Sequence, residues 1–219
     1  MKKLLKGIAE FHRSLRPEWR ETFARLALGQ RPDALLVACS DSRVAPNLFA
    51  STDPGDVFVL RNVGNLIPPC GAEGAESEAA ALEFAVLNLG VRDIVVCGHS
   101  ECGAMQAVHG GRTEVEAPGL RAWLRHAEGA LGAGRFALDA PGLSPHNALS
   151  QRNVLLQMEH LRSHPCVKER LASGALRLHG WWFDIAGASV LAYDAERRLF
   201  ALVDDSEAGR ILARLGENA

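Results

Sequence analysis

Apolar positions along this chain come in two patterns. Three short runs are continuously apolar and stop abruptly at polar or turn residues: "ALLVACSDSR" (34–43), "DVFVLRNVGN" (56–65) and "DIVVCG" (93–98). Runs of that length, rich in β-branched residues, predict strands buried on both faces. Between and around them the spacing changes to helical. Residues 2–29 predict two helical pieces broken near Pro17, and "AESEAAALEFAVLNLG" (75–90) predicts a helix closed by Gly90. A Pro/Gly-rich loop, Gly64 to Gly74, precedes that helix. Beyond Cys102 the pattern predicts helices at 103–109, 119–131 and 146–162, the last stopped by Pro165, with 132–145 as loop. Residues 175–205 then read as successive strands separated by turns.

Strands alternating with helices through the first half predict an α/β fold. Its centre is a mostly parallel β-sheet flanked by helices, with an N-terminal helical arm and an additional late strand. No repeat, low-complexity tract or linker divides the chain. The expected organisation is an arm at 1–30 and a single domain at 31–219.

Composition narrows the function. Hydrophobic residues make up 47% and charged residues 23% of 219, and the net charge is −2. That balance suits a soluble globular protein and gives no electrostatic footprint for nucleic acid or an anionic membrane. No apolar segment approaches the roughly 18 residues that span a bilayer. The opening "MKKLLKGIAEFHRSLR" is interrupted by Lys6 and Glu10, so it reads as an amphipathic helix rather than a signal peptide. Five cysteines, at 39, 70, 97, 102 and 166, are an odd and scattered set. They argue against a disulfide framework and for a reducing compartment, the cytoplasm by default.

Candidate chemistry gathers where two apolar runs end. "ALLVAC" ends in Cys39 and "DIVVCGH" in His99, with Cys102 three residues further on. In open parallel sheets, ligands collect beyond the carboxyl ends of the strands. If those two strands are neighbours, Cys39 and His99 share that edge, and Cys102 can come round on the turn into the next helix. A Cys₂His set leaves one tetrahedral position open, the pattern of catalytic zinc, and thiolate with imidazole favours zinc over magnesium or calcium. Cys97 points to the other face of its strand by the period of two, and with Cys70 and Cys166 it carries no assigned role. In "CSDSR", Asp41 and Arg43 are two apart and can pair. A carboxylate so held stays ionised and can accept a hydrogen bond from a metal-bound water. The plain alternative is a surface ion pair worth little.

Taken in order, "CSDSR" (39–43), "GDVFVLRNVGN" (55–65) and "CGHSECGA" (97–104) resemble the β-class carbonic anhydrases, nearest the plant and cyanobacterial branch. "GAESEAAALEFAV" and "LHGWWFDI" extend the resemblance over residues 25–205. The resemblance implies one zinc ion per chain on Cys39, His99 and Cys102, with Asp41 and Arg43 orienting a zinc-bound hydroxide. It implies a substrate site of Gln30, Phe58, Val63 and Gly103, partly supplied by a neighbouring subunit, hence a homodimer or higher homo-oligomer. The implied reaction is reversible hydration of carbon dioxide to bicarbonate and a proton, with no nucleic-acid or membrane partner. Two departures stand out. Phe84 replaces a tyrosine frequent in plant-like members. Leu36, Arg61 and Phe183 stand where a bicarbonate-inhibited branch has Trp, Arg and Tyr, which implies a site without that inhibition and Asp41 free of the metal at neutral pH. Rival readings are a carbonyl sulfide or carbon disulfide hydrolase on the same scaffold, a non-catalytic zinc or bicarbonate-binding scaffold, and a cysteine-nucleophile enzyme.

Overall fold

The computed structural model describes residues 1–14, 17–132, 134, 136–138, 140 and 142–216. Six strands form one sheet: β1 (Ala34–Cys39), β2 (Val57–Asn62), β3 (Asp93–His99), β4 (Arg177–Asp184), β5 (Ser189–Asp194) and β6 (Leu199–Leu202). Their spatial order is β2-β1-β3-β4-β5-β6. The pairs β1–β2, β1–β3 and β3–β4 are parallel, whereas β5 pairs antiparallel with both β4 and β6. The sheet is therefore mostly parallel, and the late segment adds an antiparallel meander at one edge.

The described helices are α1 (Lys2–Ser14), α2 (Pro17–Leu26), α3 (Pro46–Phe49), α4 (Glu76–Glu83), α5 (Gly103–His109), α6 (Pro118–Trp123), α7 (Pro145–Ser163), α8 (Pro165–Ala172) and α9 (Asp205–Leu215). Several differ from the sequence pattern, which also left the segments of α3 and α9 without a helix. The helix expected over 75–90 is α4 followed by a wider π turn at Phe84–Asn88. The one expected over 119–131 tightens after α6 into 3₁₀ turns at Leu124–Ala130. Pro165 ends α7 as expected but also opens α8, where its missing N–H costs nothing at the first helical position. The loop expected over 132–145 lies partly outside the described residues.

Period-two alternation splits the apolar side chains between the sheet's faces. Leu35, Val37, Ile94 and Val96 face a cluster completed by Leu149, Val154 and Leu156 of α7. Leu36, Ala38, Val95, Cys97 and Phe183 form a smaller cluster on the other face, where Phe49 of α3 stacks on Phe183 at 4.8 Å. Gly98 lets α7 lie close against β3: a Cβ there would stand 2.7 Å from Val154 Cγ2. By contrast α1 buries none of its residues, and Leu4, Leu5, Ile8 and Phe11 are exposed. Among the described residues, no helix is long and apolar enough to cross a membrane.

Candidate metal centre

Parallel pairing of β1 with β3 sets Ala38 opposite Cys97, so both strands finish at the same edge. There the side chains of Cys39, His99 and Cys102 converge, with their potential ligand atoms all within 4.8 Å of one another. Cys39 and His99 close their strands, and Cys102 sits just before α5 with extended backbone that turns it back over the strand ends. All three are buried, at 5%, 0% and 1% exposure.

The hydrogen bonding of His99 decides what the cluster can do. Its Nδ1 lies 2.8 Å from the carbonyl oxygen of Ser100. A carbonyl only accepts, so Nδ1 carries the proton and Nε2 keeps a free lone pair. That Nε2 is buried with no hydrogen-bond partner. An orphaned buried acceptor costs about 1–3 kcal/mol, a cost that a cation beside two thiols would remove. Two hydrogen bonds fix the histidine's carbonyl and its neighbour: the Ser150 side-chain Oγ donates to His99 O at 2.8 Å, and Ser100 N donates to Phe183 O at 2.9 Å. The thiols already act as a pair. The hydrogen bond from Cys102 holds Cys39 well below an ordinary thiol, against the opposing effect of burial and with help from the Gly64 N–H. The same bond, together with burial, pushes Cys102 up. Thiolate is the form that ligates metals. Two thiols and a free imidazole lone pair fit zinc in donor chemistry and number.

Beside the cluster, Arg43 grips Asp41. Arg43 donates from its backbone N and Nε to Asp41 Oδ1 at 2.9 and 3.0 Å, and from Nη2 to Oδ2 at 2.8 Å. These bonds hold the carboxyl well below the usual carboxylate range. Arg43 Nη2 also donates to the carbonyl of Glu101 at 3.0 Å, which ties the loop after β1 to the loop that carries Cys102. Asp41 stands outside the ligand cluster itself.

A cavity of about 330 Å³ opens onto Cys39, Ser40 and Asp41, walled by Val63, Gly103, Ala104, Ala107 and Leu120. Two of the residues expected at the substrate, Val63 and Gly103, thus border it. The other two do not. Gln30 lies before β1 and lines a separate cavity with Thr22, Arg25 and Asp53. Phe58 pairs with Leu35, four residues short of Cys39, and packs against Phe84 with ring centroids 5.9 Å apart. Leu36 and Phe183 share the smaller core cluster, while Arg61 bonds the backbone that carries Cys39 and Asp41. Cys97, on the opposite face from the cluster, is fully buried and its thiol is pushed up to about 12, which leaves it unreactive.

Sequence reasoning missed the parts that reach the site from far along the chain. Gly64 N donates to Cys39 Sγ at 3.3 Å, from a loop whose shape is set by Asn62 bonding both N and O of Leu66. Ala107 and Leu120 complete the apolar wall, and only the packing of α5 and α6 reveals them.

Comparison with known proteins agrees with this geometry. The sequence model of the carbonic anhydrase family matches residues 34–190. A carbonic anhydrase of Pseudomonas aeruginosa is 41% identical over 208 residues, covering 94% of each chain. The solved structure of the β-carbonic anhydrase CcaA superposes with a TM-score of 0.84 at 36% identity, covering 93% of this chain and 99% of that one. One of two tetrameric β-carbonic anhydrases from Sordaria macrospora superposes with a TM-score of 0.68 at 30% identity, covering 87% and 92%. This chain belongs to the β-carbonic anhydrases and is a carbonic anhydrase enzyme.

Proposed function

We propose that the protein catalyses reversible hydration of carbon dioxide to bicarbonate and a proton at one zinc ion per chain, held by Cys39, His99 and Cys102. The observation that carries this reading is the lone pair of His99 Nε2, buried without a partner and set against two buried thiols. A zinc ion there supplies the Lewis acidity that makes water a nucleophile near neutral pH. The remaining work falls to the chain. Asp41 accepts a hydrogen bond from the attacking water and directs its lone pair, and Arg43 keeps that carboxylate ionised and oriented. Carbon dioxide is small and apolar, and the wall of Val63, Ala104, Ala107 and Leu120 offers it an apolar surface. Gly103 leaves that surface open, since nothing stands near the place of its absent Cβ.

Gln30 and Phe58 do not line the cavity of their own chain. We assign them to a neighbouring subunit's site, which makes the working form a homodimer or larger. The tetrameric relatives from Sordaria macrospora support assembly of this kind.

Metal analysis tests the ligand set. The purified protein is expected to hold one equivalent of zinc, and His99→Ala and Cys39→Ala to lose it while remaining folded. Full zinc retention in both variants would overturn the assignment.

A further inference from the structure

A tryptophan from a distant helix reaches the metal-binding thiol through one peptide group. The indole Nε1–H of Trp123 donates to the carbonyl oxygen of Val63 at 2.8 Å. On the other side of that same peptide unit, the Gly64 N–H donates to Cys39 Sγ at 3.3 Å. The three groups form a chain, indole N–H to carbonyl, then amide N–H to sulfur. Accepting a hydrogen bond at the oxygen draws density from the amide nitrogen and makes its N–H a stronger donor, because linked hydrogen bonds polarise one another.

The peptide has little freedom to find another arrangement. Asn153 Nδ2 donates to the carbonyl of Gly64 at 3.1 Å from inside the core. Gly64 has φ +83°, and a Cβ there would stand 3.0 Å from Ala104 Cβ, so the position accepts only glycine. The indole is itself held firmly. Arg112 donates to the carbonyl of Arg121 at 3.0 Å and pairs with Glu128 at 2.7 Å, bracketing Trp123, whose ring packs edge-on against His126 with centroids 5.5 Å apart.

We infer that Trp123 is a positioning residue for the metal centre: it aims and polarises the Val63–Gly64 peptide so that its N–H draws charge from the Cys39 thiolate. Two thiolates feed a metal more charge than neutral imidazoles do and so blunt its acidity. A donor on one of them moves the balance back, and outer partners of ligands tune metals in this way. The inference rests on Cys39 being a metal ligand.

The test uses the full-length protein loaded with cobalt(II), whose thiolate-to-metal charge-transfer band reports charge on the sulfur. Trp123→Phe removes the N–H, and β-(3-benzothienyl)alanine placed at 123 removes it while keeping the indole's shape. Both are expected to move the band to longer wavelength relative to the unaltered protein. An unmoved band in the benzothienyl protein overturns the inference even if Trp123→Phe proves unstable. Cys39→Ser separates the two claims. Loss of part of the band's intensity supports ligation by Cys39, whereas an unchanged band sinks the ligand assignment and the inference with it.

Discussion

Arg61 of β2 reaches across to β1 and donates from Nε to the carbonyl oxygen of Cys39 at 2.9 Å. Its Nη2 reaches the carbonyl of Asp41, 2.8 Å away. One guanidinium thus sets the spacing between the proposed zinc ligand and the proposed orienting carboxylate without touching either side chain. Arg61→Ala should leave the fold intact but loosen this turn. Zinc affinity or turnover is expected to fall about 10- to 100-fold, the usual range for losing an outer partner of a metal ligand. Chelator competition and steady-state rates measure the two effects. Wild-type values in both would show that the turn holds itself.

Replacing Asp41 by Asn keeps the shape and removes the charge that Arg43 holds. Zinc content should be unchanged, and turnover should fall by about 100-fold or more, as for loss of a group that handles a proton in the reaction. Zinc analysis beside carbon dioxide hydration checks this. A zinc-loaded variant of near-normal rate would reduce the Asp41–Arg43 pair to a structural tie.

Gly98→Ala tests the packing that places His99. The new methyl would meet Val154 Cγ2 at 2.7 Å and Trp182 Cδ1 at 3.2 Å. Overpacking of this kind costs about 1–3 kcal/mol. Thermal unfolding should show a lower Tm, partly restored by adding Val154→Ala.

His126 predicts an acid sensitivity separate from the metal. Burial lowers its pKa to about 4, with Arg125 and His160 adding to the effect, and its Nε2 has no partner. The unfolded chain binds the proton near pH 6.5 and the folded one only near 4, so stability is full above 6.5 and declines as the pH falls between those values. The slope is at most about 1.4 kcal/mol per pH unit. Tm measured from pH 7.5 to 4.5 should decline in the wild type and decline less steeply in His126→Phe. Equal slopes would contradict a neutral buried His126.

Much of the centre was legible because strand ends are legible. The apolar runs stop at Cys39 and His99, and parallel neighbours finish at the same edge, so the meeting of Cys39 and His99 follows from pattern and that of Cys102 from its spacing. Hydrogen bonds that cross the chain leave no such trace. Trp123 lies 60 residues beyond Val63, and Asn153 lies 89 beyond Gly64. Gln30 and Phe58 were expected at the substrate from the family resemblance, yet neither lines the cavity beside Cys39 within one chain. α8 was hidden because Pro165 reads as a stop and serves also as a start. α9 did carry a signal: Asp204 accepts from Glu207 N at 2.8 Å, the cap that the spacing in "DDSE" announces.

The most direct test of the whole account is stopped-flow hydration of carbon dioxide near neutral to mildly alkaline pH, on the zinc-loaded protein and on the same protein stripped of metal. The account predicts rapid turnover that disappears with the zinc and returns when zinc is restored. Stoichiometric zinc on Cys39, His99 and Cys102 with no turnover would contradict it and turn attention to carbonyl sulfide as substrate.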